Sequence, residues 1–139
     1  MSTRLKEKEE KILQLLTVLA EESLKGTPIV VEGKKDVAAL RALGVTGTLL
    51  TVKTGGKSFL DAVCEIEKMH APEVIFFLDF DRRGKEGTKH LKQSLEHAKI
   101  KTNTKLWRRL SATAGNEIQC IESLTAYLHT LHEKTSSQK

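Results

Sequence analysis

Apolar residues at Leu5, Ile12, Leu15, Leu16 and Leu19 recur close to every 3.6 residues among charged neighbours, so residues 4–24 are predicted to form an amphipathic helix. Gly26 and then Pro28 stop it. Ile29–Val31 is a short β-branched run, read as a strand. It leads into Glu32-Gly33-Lys34-Lys35-Asp36 and a helix with Val37, Leu40 and Leu43 on one face and Gly44 at its end. Residues 47–52 predict a second strand, and 53–58 a loop in which Lys53 and Lys57 flank Gly55 and Gly56. Phe59, Ala62, Val63 and Ile66 give the next helix its buried face. Residues 74–78 are apolar throughout, the pattern of a strand covered by helices on both faces of a parallel sheet. Leu91, Leu95 and Ala98 then mark a helix, residues 99–102 an edge strand, and Asn103 the cap of a helix reaching about Thr113, with Leu106, Leu110 and Ala114 inward and Gly115 at its stop. Residues 116–121 read as short and extended, and 123–133 as a last amphipathic helix carrying Leu124, Tyr127, Leu128 and Leu131. A helix followed by alternating strands and helices makes an α/β layer sandwich with parallel strands.

The chain turns around the stretch IFFLDFDRRGKEG, residues 75–87, where the apolar run ends in Asp79 and Asp81. The carboxyl ends of strands are where open α/β sheets bind ligands. Two carboxylates held close together raise each other's pKa unless a cation lies between them, which makes a divalent metal site the economical reading. An Asp after a buried strand also serves turns and helix caps, so the pair needs a partner to carry meaning. The first strand supplies one. It repeats the plan of buried strand, acid, glycine, basic residues and helix, and if the two strands are neighbours Glu32 faces Asp79 and Asp81 across one crevice.

With 139 residues, 39% hydrophobic and 29% charged, the chain is expected to be one globular domain. No apolar run approaches the roughly 18 residues of a membrane helix, and the charged N-terminus lacks a signal peptide's apolar core, so a cytoplasmic protein is expected. Cys64 and Cys120 stand alone, without metal-ligand spacing, and read as buried thiols. His129 and His132 lie one turn apart near a helix C-terminus, where interaction with the helix dipole is preferred over a metal. The net charge of +5 is unevenly placed: residues 82–109 hold ten basic groups against Glu86 and Glu96. That excess points to a polyanion gripped through its phosphates, the plainer reading being a solvated helix face. The loop of Gly55 and Gly56 can offer N–H groups to a phosphate or be only a turn, because it lacks P-loop spacing. Trp107, between Lys105 and Arg108, reads first as packing and second as a base-stacking surface.

IVVEGKKDVAAL (29–40) followed by FFLDFDRRGKEG (76–87) resembles the Toprim domain, shared by bacterial-type primases, type IA and II topoisomerases, OLD-family nucleases and ribosomal-RNA maturation nucleases. KIKTNTKLWRRL and IQCIESL are similar to the small stand-alone Toprim proteins found mainly in archaea, so that the resemblance covers about residues 28–128. It implies a three-layer α/β/α, Rossmann-like fold on a mainly parallel four-stranded sheet, with N- and C-terminal helices added. It implies Glu32 as the acid/base glutamate, Asp79 and Asp81 as the magnesium-binding pair, with manganese as a substitute, and all three acids at the metal. Arg82 and Gly84 match the primase and nuclease form Asp-x-Asp-Arg-x-Gly, and Gly33, Asp36 and Gly84 would shape the loops. Lys34, Lys35, Arg82, Arg83 and Lys57 are the candidates to anchor phosphates. The chain departs from topoisomerases in placing Arg83 where they carry a glutamate and in having Tyr127, in a helix, as its only tyrosine. It departs from primases in lacking a clear downstream acidic pair, for which Glu117 and Glu122 are the only candidates. The expected function is magnesium-dependent phosphoryl transfer on RNA or DNA, nuclease-like, with a protein partner and a homodimer among the expectations. The alternative is a non-catalytic nucleic-acid-binding or assembly module. An aspartyl-type phosphatase also opens on a hydrophobic strand and Asp-x-Asp, but here Glu32 precedes the pair and no Asp-Asp follows.

Overall fold

Side chains alternate between the two faces of a strand, and in this molecule both faces are buried. A computed structural model describes residues 2–53 and 58–136. In β1 (Ile29–Val31) and in β3 (Glu73–Phe76) with its continuation through Phe77 and Leu78, Ile29, Val31, Ile75 and Phe77 enter one apolar core. Val30, Val74, Phe76 and Leu78 enter a second. The first core is closed by Ile12, Leu15, Leu16 and Leu19 of α1 (Ser2–Leu24), Leu40 of α2 (Lys34–Ala42), Leu106, Leu110 and Ala114 of α5 (Lys105–Ala114), and Leu124, Leu128 and Leu131 of α6 (Leu124–Ser136). Ala62, Val63 and Ile66 of α3 (Phe59–Lys68) and Leu91 and Leu95 of α4 (Arg82–His97) close the second. The result is the expected α/β/α sandwich, with the helical periodicities read in the sequence facing inward.

The sheet is parallel throughout, in the order β2-β1-β3-β4, where β2 is Leu49–Thr51 and β4 is Lys101–Asn103. From β1 the chain crosses one face through α2 to β2. It then returns over the other face through α3, passes β1 to form β3, and continues on that face through α4 to β4. Crossovers of one hand require this change of face when the direction of winding reverses. The reversal falls between β1 and β3, and such a switch point leaves a crevice at the carboxyl ends of the two strands. Glu32 and Asp79 follow those two ends.

Several boundaries differ from expectation. β2 is shorter than residues 47–52, and the third strand spans Glu73–Phe76 rather than 74–78. β4 begins at Lys101 because Lys99, at φ 65°, turns the chain out of α4 first. Residues 116–121 are not extended: they form a turn leading into a short 3-10 turn, Ile121–Ser123. Ile118 and Ile121 are both buried in the first core, and their spacing of three suits a helical turn and not a strand. Neither cysteine is a buried thiol; Cys64 is exposed on α3 and Cys120 is half-buried. His129 and His132 precede the last turn of a helix that reaches Ser136, and they pair with Glu133 and with Glu9 of α1. Among the described residues no helix is long and apolar enough to cross a membrane.

Candidate active site

β1 delivers Glu32 to the crevice almost fully covered, at 7% exposure. Its Oε2 accepts the backbone N–H of Asp79 at 3.1 Å, joining the residues that follow β1 and β3. Its Oε1 pairs with Lys53, whose own backbone N–H donates to the Glu32 carbonyl at 3.0 Å and extends the β1–β2 ladder by one residue. Burial works to raise the pKa of Glu32, but contact with the Asp79 carboxyl and the hydrogen bonds from Lys53 and the Asp79 N–H outweigh it and hold the group below its ordinary range. Asp79 goes the other way. Burial first, then its contact with Glu32, pushes it up to about 7, against the lowering effect of the Ile121 N–H that its Oδ1 accepts at 3.0 Å. Of the two carboxyl groups, Asp79 is therefore the one that takes up a proton as pH falls through neutrality, beside a Glu32 that stays ionised.

Asp36 accepts from the Gly33 N–H at 3.0 Å at the start of α2. Its other oxygen accepts the N–H of Glu122 at 3.1 Å. The Ile121 and Glu122 amides thus land on Asp79 and Asp36, and the 3-10 turn is fastened across the crevice by the candidate acids themselves. Of the two acids considered for a downstream pair, Glu122 lines this crevice, whereas Glu117 is held by Lys8 and by Tyr127.

Asp81 is placed differently. It is the N-cap of α4, its Oδ1 accepting the Gly84 N–H at 2.8 Å. Gly84 lies so close to the preceding loop that a Cβ there would fall on the Asp79 carbonyl oxygen. Glu32 and Asp79 are thus brought together while Asp81 is turned to its own helix, and among the described residues no three His, Cys, Asp or Glu side chains converge to hold a metal ion. The chemistry of the donor set still fits magnesium, which is commonly bound through one or two carboxylates, with water and substrate phosphate completing its shell. Glu32 and Asp79 would hold it, and a metal bound there would compete with protonation of Asp79.

Lys34 and Lys35 line the same crevice, a cavity of about 450 Å³. Arg82 pairs with Glu86 at 3.1 Å and is 91% exposed, while Arg83 lines a neighbouring cavity that also reaches Glu32. Lys57 lies outside the described residues. Trp107 is a packing residue: its Nε1–H donates to the Leu78 carbonyl at 2.7 Å and its ring lies 5.9 Å from that of Phe80, tying α5 to the strand end just before Asp79. Lys101, Lys105, Arg108 and Arg109 border a further cavity on that flank. The Lys53 pairing and the docked 3-10 turn had no sequence forecast; the only signal for the turn was the spacing of Ile118 and Ile121.

The raised pKa of Asp79 has a measurable consequence. A carboxyl whose pKa is raised from about 3.9 in the unfolded chain to about 7 in the fold favours folding below the lower value, and the benefit is lost as pH rises to the upper one. In metal-free buffer the melting temperature is expected to fall from pH 5 to pH 8, and Asp79→Asn to flatten that slope. Equal slopes in the two proteins would show that Asp79 does not titrate in this window. The depressed pKa of Glu32 acts below this window, at acid pH.

Residues 26–106 match a family model described as Toprim domain. A UPF0292 protein of Methanocaldococcus jannaschii is 37% identical over 121 residues, covering 86% of this chain and 91% of the relative. Another from Methanosarcina acetivorans is 32% identical over 127 residues, covering 91% and 85%. A solved structure of a protein from Aquifex aeolicus is similar in fold, with a TM-score of 0.67 at 24% identity, covering 79% of this chain and 94% of that one.

Proposed function

This chain belongs to the Toprim domain family, and from that premise we propose that it is a magnesium-dependent phosphoryl-transfer enzyme acting on RNA or DNA, of the nuclease type. Toprim domains in general bind magnesium and act in nucleic-acid processing. The observation that carries the reading is the contact of Glu32 with Asp79 at the switch point of the sheet, two acids that meet across 47 positions of chain. Glu32 and Asp79 would hold magnesium or manganese, which would supply positive charge to the non-bridging phosphate oxygens and to the leaving oxygen. Glu32 is the group that exchanges a proton with the attacking or leaving oxygen at its carboxylate, and the ammonium of Lys53 keeps it ionised until it does so. Lys34 and Lys35 hold the phosphate in the crevice, with Arg82 and Arg83 on the flanking ones. Asp81 acts through the backbone, fixing the start of α4 beside Asp79.

One observation favours a second reading, a module that binds nucleic acid without cutting it: Asp81 is spent on a helix cap and leaves two converging acids instead of three. End-labelled hairpin RNA and hairpin DNA incubated with the protein in magnesium, manganese or EDTA separate the two. Cleavage that needs metal supports the enzyme, and binding without cleavage in either metal overturns it in favour of the module.

A further inference from the structure

Between α3 and α4 a cavity of about 400 Å³ shares Glu32 and Lys53 with the lysine-lined crevice but is built otherwise. Its wall is Phe59, at the first position of α3, with Leu78 and Gly87 beside it. The Phe59 ring lies 5.7 Å from that of His90, inclined by 43°. Gly87 leaves room for the ring, since a Cβ at that position would meet its tip at 3.2 Å. Arg83, Glu86 and His90, all on α4, supply donors and an acceptor around this apolar wall. An aromatic face with an aliphatic neighbour and a polar rim is what a flat heterocycle with donor and acceptor edges requires. The volume is near the lower end of small-molecule sites, roughly 300–1,000 Å³, which admits one nucleoside and excludes a duplex.

We propose that this cavity holds a single unstacked nucleobase of the substrate strand, resting on Phe59, next to the phosphate that Glu32 and Lys53 face. The inference rests on the nucleic-acid reading above and sharpens it: the strand that enters is single-stranded, or has a bulge or an end, at the nucleotide beside the acids. Duplex phosphates alone would engage the lysines and arginines and leave Phe59 untouched.

The test uses the metal-free protein and no cleavage, so its outcome is independent of whether the chain is an enzyme. Adenosine and uridine 5′-monophosphates are titrated against the isotope-labelled protein, with ribose 5-phosphate and inorganic phosphate as controls without a base, and backbone amide resonances are followed. The nucleotides are expected to shift Phe59, Gly87 and His90, and the controls are not. Phe59→Leu is expected to weaken nucleotide binding by about fivefold or more, as loss of base stacking does, with ribose 5-phosphate binding unchanged. His90→Ala serves if that variant does not fold. Identical shift patterns for nucleotides and controls, or nucleotide shifts confined to Lys34 and Lys35, would overturn the base pocket. A protein that cleaves nucleic acid yet shows no base-dependent shift would lose this pocket and keep the proposed activity.

Discussion

Asp79→Ala is expected to abolish magnesium binding and to slow metal-dependent cleavage by about a hundredfold to a thousandfold, the size of effect seen when a principal electrostatic stabiliser of a transition state is removed. The same change should leave the fold in place. The Asp79 carboxyl accepts the Ile121 N–H, a bond whose loss costs about 1 kcal/mol, and touches the Glu32 carboxyl. Against that, the substitution removes a half-buried carboxyl that burial and Glu32 both make difficult to ionise. The two effects oppose each other, so the melting temperature near pH 7 should move little. Glu32→Gln keeps a side chain that can accept the Asp79 N–H but takes away the group that exchanges a proton together with one of the two charges that would hold the metal, for an expected loss of about 10²- to 10⁴-fold in rate and a weakened metal affinity. Calorimetric titration of magnesium into the three proteins, beside their cleavage rates, separates the roles. Metal affinity unchanged in Asp79→Ala would remove Asp79 from any metal site and with it the mechanism proposed here.

The convergence of Glu32 and Asp79 was legible in the sequence because two features agreed: Ile29–Val31 and the apolar run ending at Leu78 each lead into an acid, a glycine and basic residues. Strands buried on both faces have few neighbours available other than each other, and β1 and β3 are paired. The role of Asp81 was less determined. Asp-x-Asp beside a helix start satisfies both a metal pair and an N-cap, and only the approach of Gly84 to the Asp79 carbonyl shows which bond the side chain makes. The bonds from Ile121 to Asp79 and from Glu122 to Asp36 were not legible at all. Hydrogen bonds between residues so distant in sequence leave no local periodicity, and the turn that makes them carries only Ile118 and Ile121 as a trace. Cys64 was misread because cysteine is more often buried than exposed, whereas the inward positions of α3 are already filled by Ala62, Val63 and Ile66.

Gly84→Ala should destabilise the protein although the residue is inside a helix, where alanine is ordinarily the better residue by about 1 kcal/mol. The reason is the neighbour. A Cβ at Gly84 would overlap the Asp79 carbonyl oxygen, which is main chain and cannot swing aside as the end of a side chain does. Either α4 moves away from the loop, breaking the cap from Asp81 and displacing Thr88, whose hydroxyl donates to the Gly84 carbonyl at 2.8 Å, or Asp79 moves and its N–H leaves Glu32. Overpacking of this kind costs about 1–3 kcal/mol and can exceed it where the backbone must shift. Gly87→Ala provides the internal comparison, because its closest contact is the tip of the Phe59 ring at 3.2 Å, which can turn away at small cost. Urea denaturation of both variants should therefore show a large loss for Gly84→Ala and a small one for Gly87→Ala, with magnesium affinity reduced only in the first. If Gly84→Ala were as stable as the unmodified chain, α4 could not begin pressed against the Asp79 main chain, and the packing that sets Asp79 beside Glu32 would have to be described anew.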